Sequence, residues 1–544
     1  MRRFVEIKPR SAASGRGTAG GRGGVTEPSL TRSTRKTLTM MIATMVSRLL
    51  GFVRIAVIGA VFGTTGQADV LNAVFTIPNN LRKLMAEGAL SSAFIPALSH
   101  SLVKDETGMR SRTIVRNILT FQFVVLFPFC LISIVFADPL IRFVLVDFSD
   151  SGLTALAVDL FRWFISYLLL ISISAVIMGT LNSHNHFFVP AITPILFSVA
   201  VITSILLLHG RLGIFSMAVG VIAGGLLQII FQAPLFRRLG YDFRPDFRFK
   251  NDDFRKIMRN WLPVVATASI FTINQQVAVR FATGLETGSS SSLNYALVFF
   301  QLPFGIFSAS VTTVLFPRMS RQASLDDSIG LKESIQHGLR FLLVFLVPST
   351  VFLTVIGKEI IAVAMFRGEF AMEDVLLTSQ ILTAYSFGLF GVGAFNFLQR
   401  FFYSSSNYRI PFVLSLLVAA VDIGLSLWLK ETRLRVAGLA WANTIAFSLG
   451  TVIMLVIIRQ KLEGIHGRSI LLTLMKVLIA SVPVAAALTL FKLVTSGVWE
   501  EGSTLVAFVI LLAGGLLGIG IYFLLYILLK VEIAVQLIRK KLKT

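Results

Sequence analysis

Long apolar runs recur along almost the whole of this chain. They fall at residues 38–62, 70–102, 114–137, 153–181, 188–208, 212–236, 257–283, 292–316, 336–356, 376–403, 410–429, 435–458, 469–491 and 503–529. An apolar helix needs about 20 residues to cross the hydrocarbon core of a bilayer. The runs do not alternate polar with apolar residues, which a membrane β-barrel would require, so the backbone must be satisfied within helices. The sequence therefore predicts an all-α polytopic membrane protein with 14 transmembrane helices. Hydrophobic residues make up 55% of the chain and charged residues only 14%, which excludes a soluble domain of this length.

The loops orient the spans. Fifty Lys and Arg against 28 Asp and Glu leave a net charge of +22. In a soluble protein such a charge would suggest nucleic acid; here it gathers in every second loop, as cytoplasmic loops do. The stretches KDETGMRSR, RRLGYDFRPDFRFKNDDFRK, PRMSRQASLDDSIGLK and RQKLEGIHGR are basic, as is the end, IRKKLKT. The alternate loops GTTGQAD, GLETGSSSS and KLVTSGVWEEGS are poor in bases, and LKETRLR is the exception. Both termini are expected in the cytoplasm, with no nucleic-acid partner. Residues 1–36, rich in Arg, Gly, Ser and Thr, read as a disordered basic cytoplasmic tail without a cleavable signal.

An internal repeat runs at an offset of about 220 residues. LFPFCLIS around Pro128 echoes LVPSTVFL around Pro348; FIPALS around Pro96 echoes LFPRMS around Pro317; the segment ending at Pro190 echoes that ending at Pro411. The period covers six spans, so both copies share one orientation and are expected to be related by a pseudo-two-fold axis along the membrane normal. This predicts two six-helix lobes, 37–240 and 250–462, followed by two extra transmembrane helices and a basic C-tail, 469–544. Two-lobed membrane bundles of this kind carry substrate between the lobes and move by rocking, which favours a transporter.

Several charges sit where hydrocarbon is expected. Arg48 and Arg54 lie in span 1, and Arg82, Lys83 and Glu87 lie in span 2. An Arg at mid-bilayer costs roughly 2.5–3.5 kcal/mol on insertion scales, so each needs a polar cavity or a route to the interface. Arg48 and Arg54 point about 120° apart on an ideal helix, and a bend at Gly51 would bring them to one wall. Lys83 and Glu87 are spaced to pair with each other, which leaves Arg82 as the better ligand candidate. The planar guanidinium fork binds phosphate oxygens bidentately and stays charged. Asp69 precedes span 2 and is either a helix cap or a site residue. Pro78 and Pro96 should kink span 2. Asp422, isolated in span 11, is read either as a coupling acid for a cation or proton or as a hydrogen-bond partner of a neighbouring helix. Cys130 is the single cysteine, and His184 and His186 are read as a loop pair, so no metal centre is expected. No nucleophile–base pair, Walker loop or HExxH motif occurs, so the chain is not read as an enzyme.

The stretch from Ser47 to Leu98, SRLLGFVRIAVIGAVFGTTGQADVLNAVFTIPNNLRKLMAEGALSSAFIPAL, closely resembles the MurJ (MviN) lipid II flippases of the multidrug/oligosaccharidyl-lipid/polysaccharide exporter superfamily. The resemblance extends over nearly the whole chain after residue 36. It implies a multi-pass protein of the bacterial inner membrane. The implied substrate is lipid II, the undecaprenyl-diphosphate-linked peptidoglycan precursor, with membrane lipids and the cell-wall synthesis machinery as further partners. It implies that Arg48, Arg54 and Arg82 line a cationic cavity for the diphosphate, and it gives weight to Asp69 and Glu87. The last two spans resemble the pair that shapes a lipid-tail groove. The chain departs from the pattern at Ile55, where an acid is frequent, at Asn80, where a leucine is usual, and at Val298, where a further cavity arginine stands in span 8. Arg280 in span 7 is the expected substitute for that arginine.

The resulting expectation is alternating access without a cofactor, driven by a coupling cation or the membrane potential. The rival expectations are a flippase for another prenyl-diphosphate glycan and, further off, a non-transporting membrane scaffold.

Overall fold

The computed structural model describes residues 30–85, 89–105, 107–405, 407–465, 467–496 and 504–532; side chains are described for all of these except 30–44, 83–85, 89–92, 267 and 504. The described chain is helical throughout, with no strand. The first half comprises α1 (Leu30–Phe62), α2 (Gly66–Met85), α3 (Ala89–Lys104), α4 (Met109–Val135), the short α5 (Ala137–Leu140), α6 (Ser151–Ser183), α7 (Phe188–Leu212) and α8 (Phe215–Arg238). The second half comprises α9 (Asp252–Thr283), α10 (Ser289–Pro303), α11 (Ala309–Ser324), α12 (Ser328–Val355), α13 (Gly357–Met365), α14 (Met372–Phe387), α15 (Leu389–Ser404), α16 (Arg409–Leu429) and α17 (Arg435–Lys461). Helices α18 (Gly467–Val494) and α19 (Thr504–Leu528) follow.

Twelve of the described helical segments are long and apolar enough to cross a membrane, and α14 with α15, bent by 45°, makes a thirteenth. The chain is therefore a multi-pass membrane protein. The run 70–102 is occupied by α2 and α3, and the residues between them, 86–88, are not described. Pro78 and Pro96 both lie within helices, Pro78 in α2 and Pro96 in α3. Membrane helices tolerate an interior proline where neighbours satisfy the freed backbone. Pro303, by contrast, leads into a π-helical turn, Phe304–Ser308, that joins α10 to α11. Of the expected tail, residues 30–36 already belong to α1, and residues 1–29 lie outside the described residues. The nine-residue α13 was not expected, because it is too short to register as a span.

Apolar side chains form separate cores. One joins α10 to α17, around Tyr295, Phe299, Phe395 and Phe401. Two others belong to the first half, one around Phe161, Phe164 and Leu168, the other around Phe94, Ile118 and Phe236. A fourth ties α18 and α19 to α12 through Val344, Val477 and Tyr522. Helix α9 is shared. Phe254, Ile257 and Val279 are buried in first-half cores, whereas Ala282 belongs to the second-half core. Side chains such as Phe123, Phe127 and Leu131 on α4 point outward, as a bilayer allows.

The prolines of the repeat occupy like places. Pro128 and Pro348 lie inside α4 and α12, Pro96 and Pro317 inside α3 and α11, and Pro190 and Pro411 each stand third in α7 and α16. The helix pairs α7–α8 and α16–α17 both close on a glycine. A Cβ at Gly220 would stand 2.8 Å from the Val201 Cα, and one at Gly438 would stand 2.7 Å from the Leu429 carbonyl oxygen. Small residues let membrane helices approach this closely.

The α8–α9 connection is strapped onto α4. Arg116 pairs with both carboxylate oxygens of Asp242 at 2.6 and 2.5 Å, and Arg110 does the same with Asp253 at 2.7 and 2.6 Å. The Asn117 amide donates to the Asp246 carbonyl, and the Asp246 backbone N–H donates to Thr120 Oγ1, each at 2.8 Å. The Arg248 guanidinium holds the Asp246 carboxyl down at about 2. Asn251 then caps α9 by accepting from the Phe254 N–H at 2.7 Å.

Candidate functional site: a central cavity

A cavity of about 820 Å³ opens between the halves. From the first half only α1 lines it, through Arg48, Gly51, Phe52, Arg54 and Ile55. The rest of the wall comes from α9, α10, the π-turn, α14, α15, α16 and α17. Helix α1 runs unbroken through Gly51, and the length of the arginine side chains lets Arg48 and Arg54 both reach the cavity. Arg48 is exposed and faces the π-turn: a Cβ at Gly305 would stand 3.4 Å from its Nη1. The Arg54 guanidinium lies over the Phe197 ring, 5.1 Å from its centroid. Neither arginine has an acidic partner among the described residues.

The other expected site residues fall elsewhere. Arg82 is on α2, where its Nε and Nη2 donate to Asn79 Oδ1 at 3.2 and 3.1 Å; it is not on the cavity wall, but its charge bears on Arg54. Glu87, and with it the expected Lys83–Glu87 pair, lies outside the described residues. Arg280, the expected substitute for the missing span-8 arginine, is not on the cavity wall. Its Nη1 donates to the Val146 carbonyl at 2.9 Å, and its Nη2 lies 3.4 Å from Asp147. Val298 does line the cavity and brings no charge to it.

Asp69 is buried and caps a helix, though not its own. Its oxygens accept from the backbone N–H groups of Gly288 at 2.6 Å and Ser291 at 2.7 Å, at the start of α10. These are among the donors a helix N-terminus leaves unsatisfied, and the negative charge suits the positive end of the helix. Nearby, Asn72 donates to Ser291 Oγ at 3.3 Å and Thr76 to Asn294 Oδ1 at 3.4 Å. These α2–α10 contacts join residues between 218 and 222 positions apart, which is the offset of the sequence repeat. The same end of the molecule is closed by further links. Thr64 donates to Asp374, the Glu369 N–H to the Ala60 carbonyl at 2.9 Å, Tyr295 to the Gly63 carbonyl at 3.1 Å, and Gln276 to the Leu145 carbonyl at 3.0 Å.

Asp422 is buried on the cavity wall, where it accepts from Asn274 at 2.7 Å, Asn443 at 2.8 Å and Ser426 at 3.4 Å. It therefore joins α16 to α9 and α17. Among the described residues no group of His, Cys, Asp and Glu has the arrangement of a metal site. Sequence reasoning about charges missed the cavity's carboxamides, Asn274, Gln275, Asn294, Gln301, Asn396 and Asn443. The signal was present: a neutral amide inside an apolar run is also out of place in hydrocarbon.

Comparison with known proteins gives the family. The family model described as lipid II flippase MurJ matches residues 58–510. A protein of Borreliella burgdorferi described as a probable lipid II flippase MurJ is 32% identical over 504 residues, covering 93% of this chain and 98% of its own length. Its counterpart in Thermotoga maritima is 29% identical over 427 residues, covering 78% of this chain and 85% of its own. Among solved structures, a lipid II flippase MurJ in an inward closed conformation is similar with a TM-score of 0.73 and 24% identity, covering 91% of this chain and 99% of that one. An inward-facing multidrug-resistance MATE transporter of the MOP superfamily is similar in fold, with a TM-score of 0.64 and 13% identity, covering 78% of this chain and 98% of that one. Matched along most of its length by the family model and by a relative of nearly equal extent, the chain belongs to the MurJ family of lipid II flippases.

Proposed function

We propose that this protein moves lipid II from the inner to the outer leaflet of the bacterial inner membrane by alternating access. The observation that carries the reading is the pair Arg48 and Arg54 on the wall of a central cavity, without an acid of their own among the described residues. Two guanidinium groups in a low-dielectric cavity favour an anion, and a diphosphate offers oxygens that each fork can take bidentately. Arg82 adds to the positive potential at Arg54. The prenyl tail stays in lipid while the headgroup enters the cavity, and rocking of the halves opens it to the other side.

The charge pattern of the loops supports cytoplasmic termini, which makes the end closed by Asp69, Thr64 and Asp374 the outer one. With the inside negative, moving two negative charges outward gains roughly 4–5 kcal/mol per 100 mV, less whatever arginine charge travels with them. The membrane potential therefore supplies a direction without a bound cofactor. Asp422, an acid on the cavity wall, is where a coupling cation or proton would act. Cell-wall synthesis enzymes are the expected source and destination of the substrate.

The test is depletion with complementation. Cells losing the protein should accumulate lipid II on the inner leaflet. The wild-type chain should restore its appearance outside, and Arg54→Ala should restore less than about a tenth of it, given roughly 1.5–3 kcal/mol for a charged hydrogen bond. Normal export without the protein would assign the substrate elsewhere, to another prenyl-diphosphate glycan; full rescue by Arg54→Ala would remove the cavity from the mechanism.

A further inference from the structure

The cavity is chemically divided. Its positive charge comes from α1, whereas the second-half wall carries amides and aromatic rings among aliphatic side chains, with Asp422 as its one acid. Two of the amides are committed, Asn274 and Asn443, which both donate to Asp422. Others are available. Gln275 on α9 and Gln301 on α10 make no side-chain hydrogen bond among the described residues. Asn396 on α15 donates once, to the Val392 carbonyl at 2.9 Å, and leaves its oxygen open. Flat ring pairs stand among them. Phe271 stacks on Phe447 with centroids 5.9 Å apart, and Phe300 on Phe304 at 6.2 Å.

A carboxamide both donates and accepts, as do the hydroxyl and acetamido groups of an amino sugar. A phenyl face suits the C–H face of a pyranose ring. Pockets with apolar walls and a few placed polar groups are the usual form of a small-molecule site. A charged peptide would find little on this wall, since the carboxylate of Asp422 is already held by three donors.

We infer that the second-half wall, with Gln275, Gln301 and Asn396 beside the rings of Phe271 and Phe304, is a subsite for the uncharged sugar of the headgroup, separate from the diphosphate subsite on α1. This rests on the proposed lipid-diphosphate function and adds to it a division of labour between the walls. The diphosphate is gripped by charge, which any prenyl diphosphate would satisfy. The sugar is read by the amides, which a bare prenyl diphosphate cannot engage. Discrimination between lipid-linked glycans then belongs to the half of the chain that carries no cavity arginine.

The experiment compares binding of three lipids to the purified full-length protein in nanodiscs: undecaprenyl diphosphate, the same lipid carrying the amino-sugar disaccharide, and peptide-bearing lipid II. The double variant Gln275→Met, Gln301→Met should bind both glycosylated lipids about five- to tenfold more weakly and undecaprenyl diphosphate unchanged, the latter also reporting an intact fold. Arg54→Ala should weaken all three by about tenfold or more. Equal losses for all three lipids in the double variant, no loss for any, or a loss confined to the peptide-bearing lipid would each overturn the sugar subsite. If instead Arg54→Ala leaves undecaprenyl diphosphate binding untouched while the double variant keeps its sugar-specific loss, the diphosphate reading falls and the sugar subsite stands.

Discussion

Helices α1 and α9 open the two halves of the chain and line the same cavity, yet they bring different polar groups to it. Helix α1 brings Arg48 and Arg54; α9 brings Asn274 and Gln275. Away from the cavity the halves are alike. Prolines take matching places in α3 and α11, in α4 and α12, and in α7 and α16. A glycine closes both α7 on α8 and α16 on α17. Proline and glycine positions thus recur between the halves while the cavity chemistry does not. In the proposed alternating-access cycle the two halves would be the bodies that rock, and their differing inner walls give the cavity an arginine side and an amide side.

The strongest way to break this comparison is to stop the halves from separating. A Thr64→Cys, Asp374→Cys pair joined by a short bis-maleimide should abolish lipid II translocation, because the native side chains already touch there. The single cysteine, Cys130, is buried. Transport that survives quantitative cross-linking would rule out opening at that end. Next in size is Asp69→Ala, which leaves two backbone donors of α10 without their acceptor. It should cost about 2–4 kcal/mol, seen as a lower thermal midpoint in detergent, with Asp69→Asn recovering part of it. A smaller effect tests the likeness of the scaffolds. Gly220→Val and Gly438→Val should each destabilise by about 1–3 kcal/mol, to a similar degree, since each forces a Cβ into backbone. Tolerance of one but not the other would show that the helix pairs are only superficially alike. The smallest effect concerns the strap on α4. The Asp246 carboxyl is held at about 2 against an ordinary 3.8. Its contribution is therefore complete above 3.8 and lost as pH falls towards 2. Asp246→Asn should lower the thermal midpoint at neutral pH by the equivalent of about 1 kcal/mol and flatten its fall between pH 4 and 2.

Much of this was legible in the sequence for a physical reason: hydrocarbon tolerates few exceptions, so apolar runs reveal spans and stray charges reveal a cavity. Arg48 and Arg54, picked out in that way, line the cavity. Arg280, picked out the same way, lies against a loop carbonyl and an acid, Val146 and Asp147, which an arginine inside an apolar run can also reach. Helix α13 was hidden by its length. The amide wall escaped because neutral side chains cost less in lipid than charged ones and stand out less. The role of Asp69 was out of reach in principle, since nothing local to residue 69 points to donors at 288 and 291.

That last distance has a consequence for how the molecule is made. Asp69 is synthesised early, whereas the N–H groups that satisfy it lie more than two hundred residues later. Domains generally assemble from the N-terminus as the chain emerges. Here the first half emerges with the Asp69 carboxylate still without the two N–H groups it accepts from. Only when α10 has entered the membrane does the carboxylate find its donors, so completion of the first half is licensed by arrival of the second. A truncated chain ending before residue 288 should accordingly be recognised as unfinished and degraded, even though its first eight helices are all present.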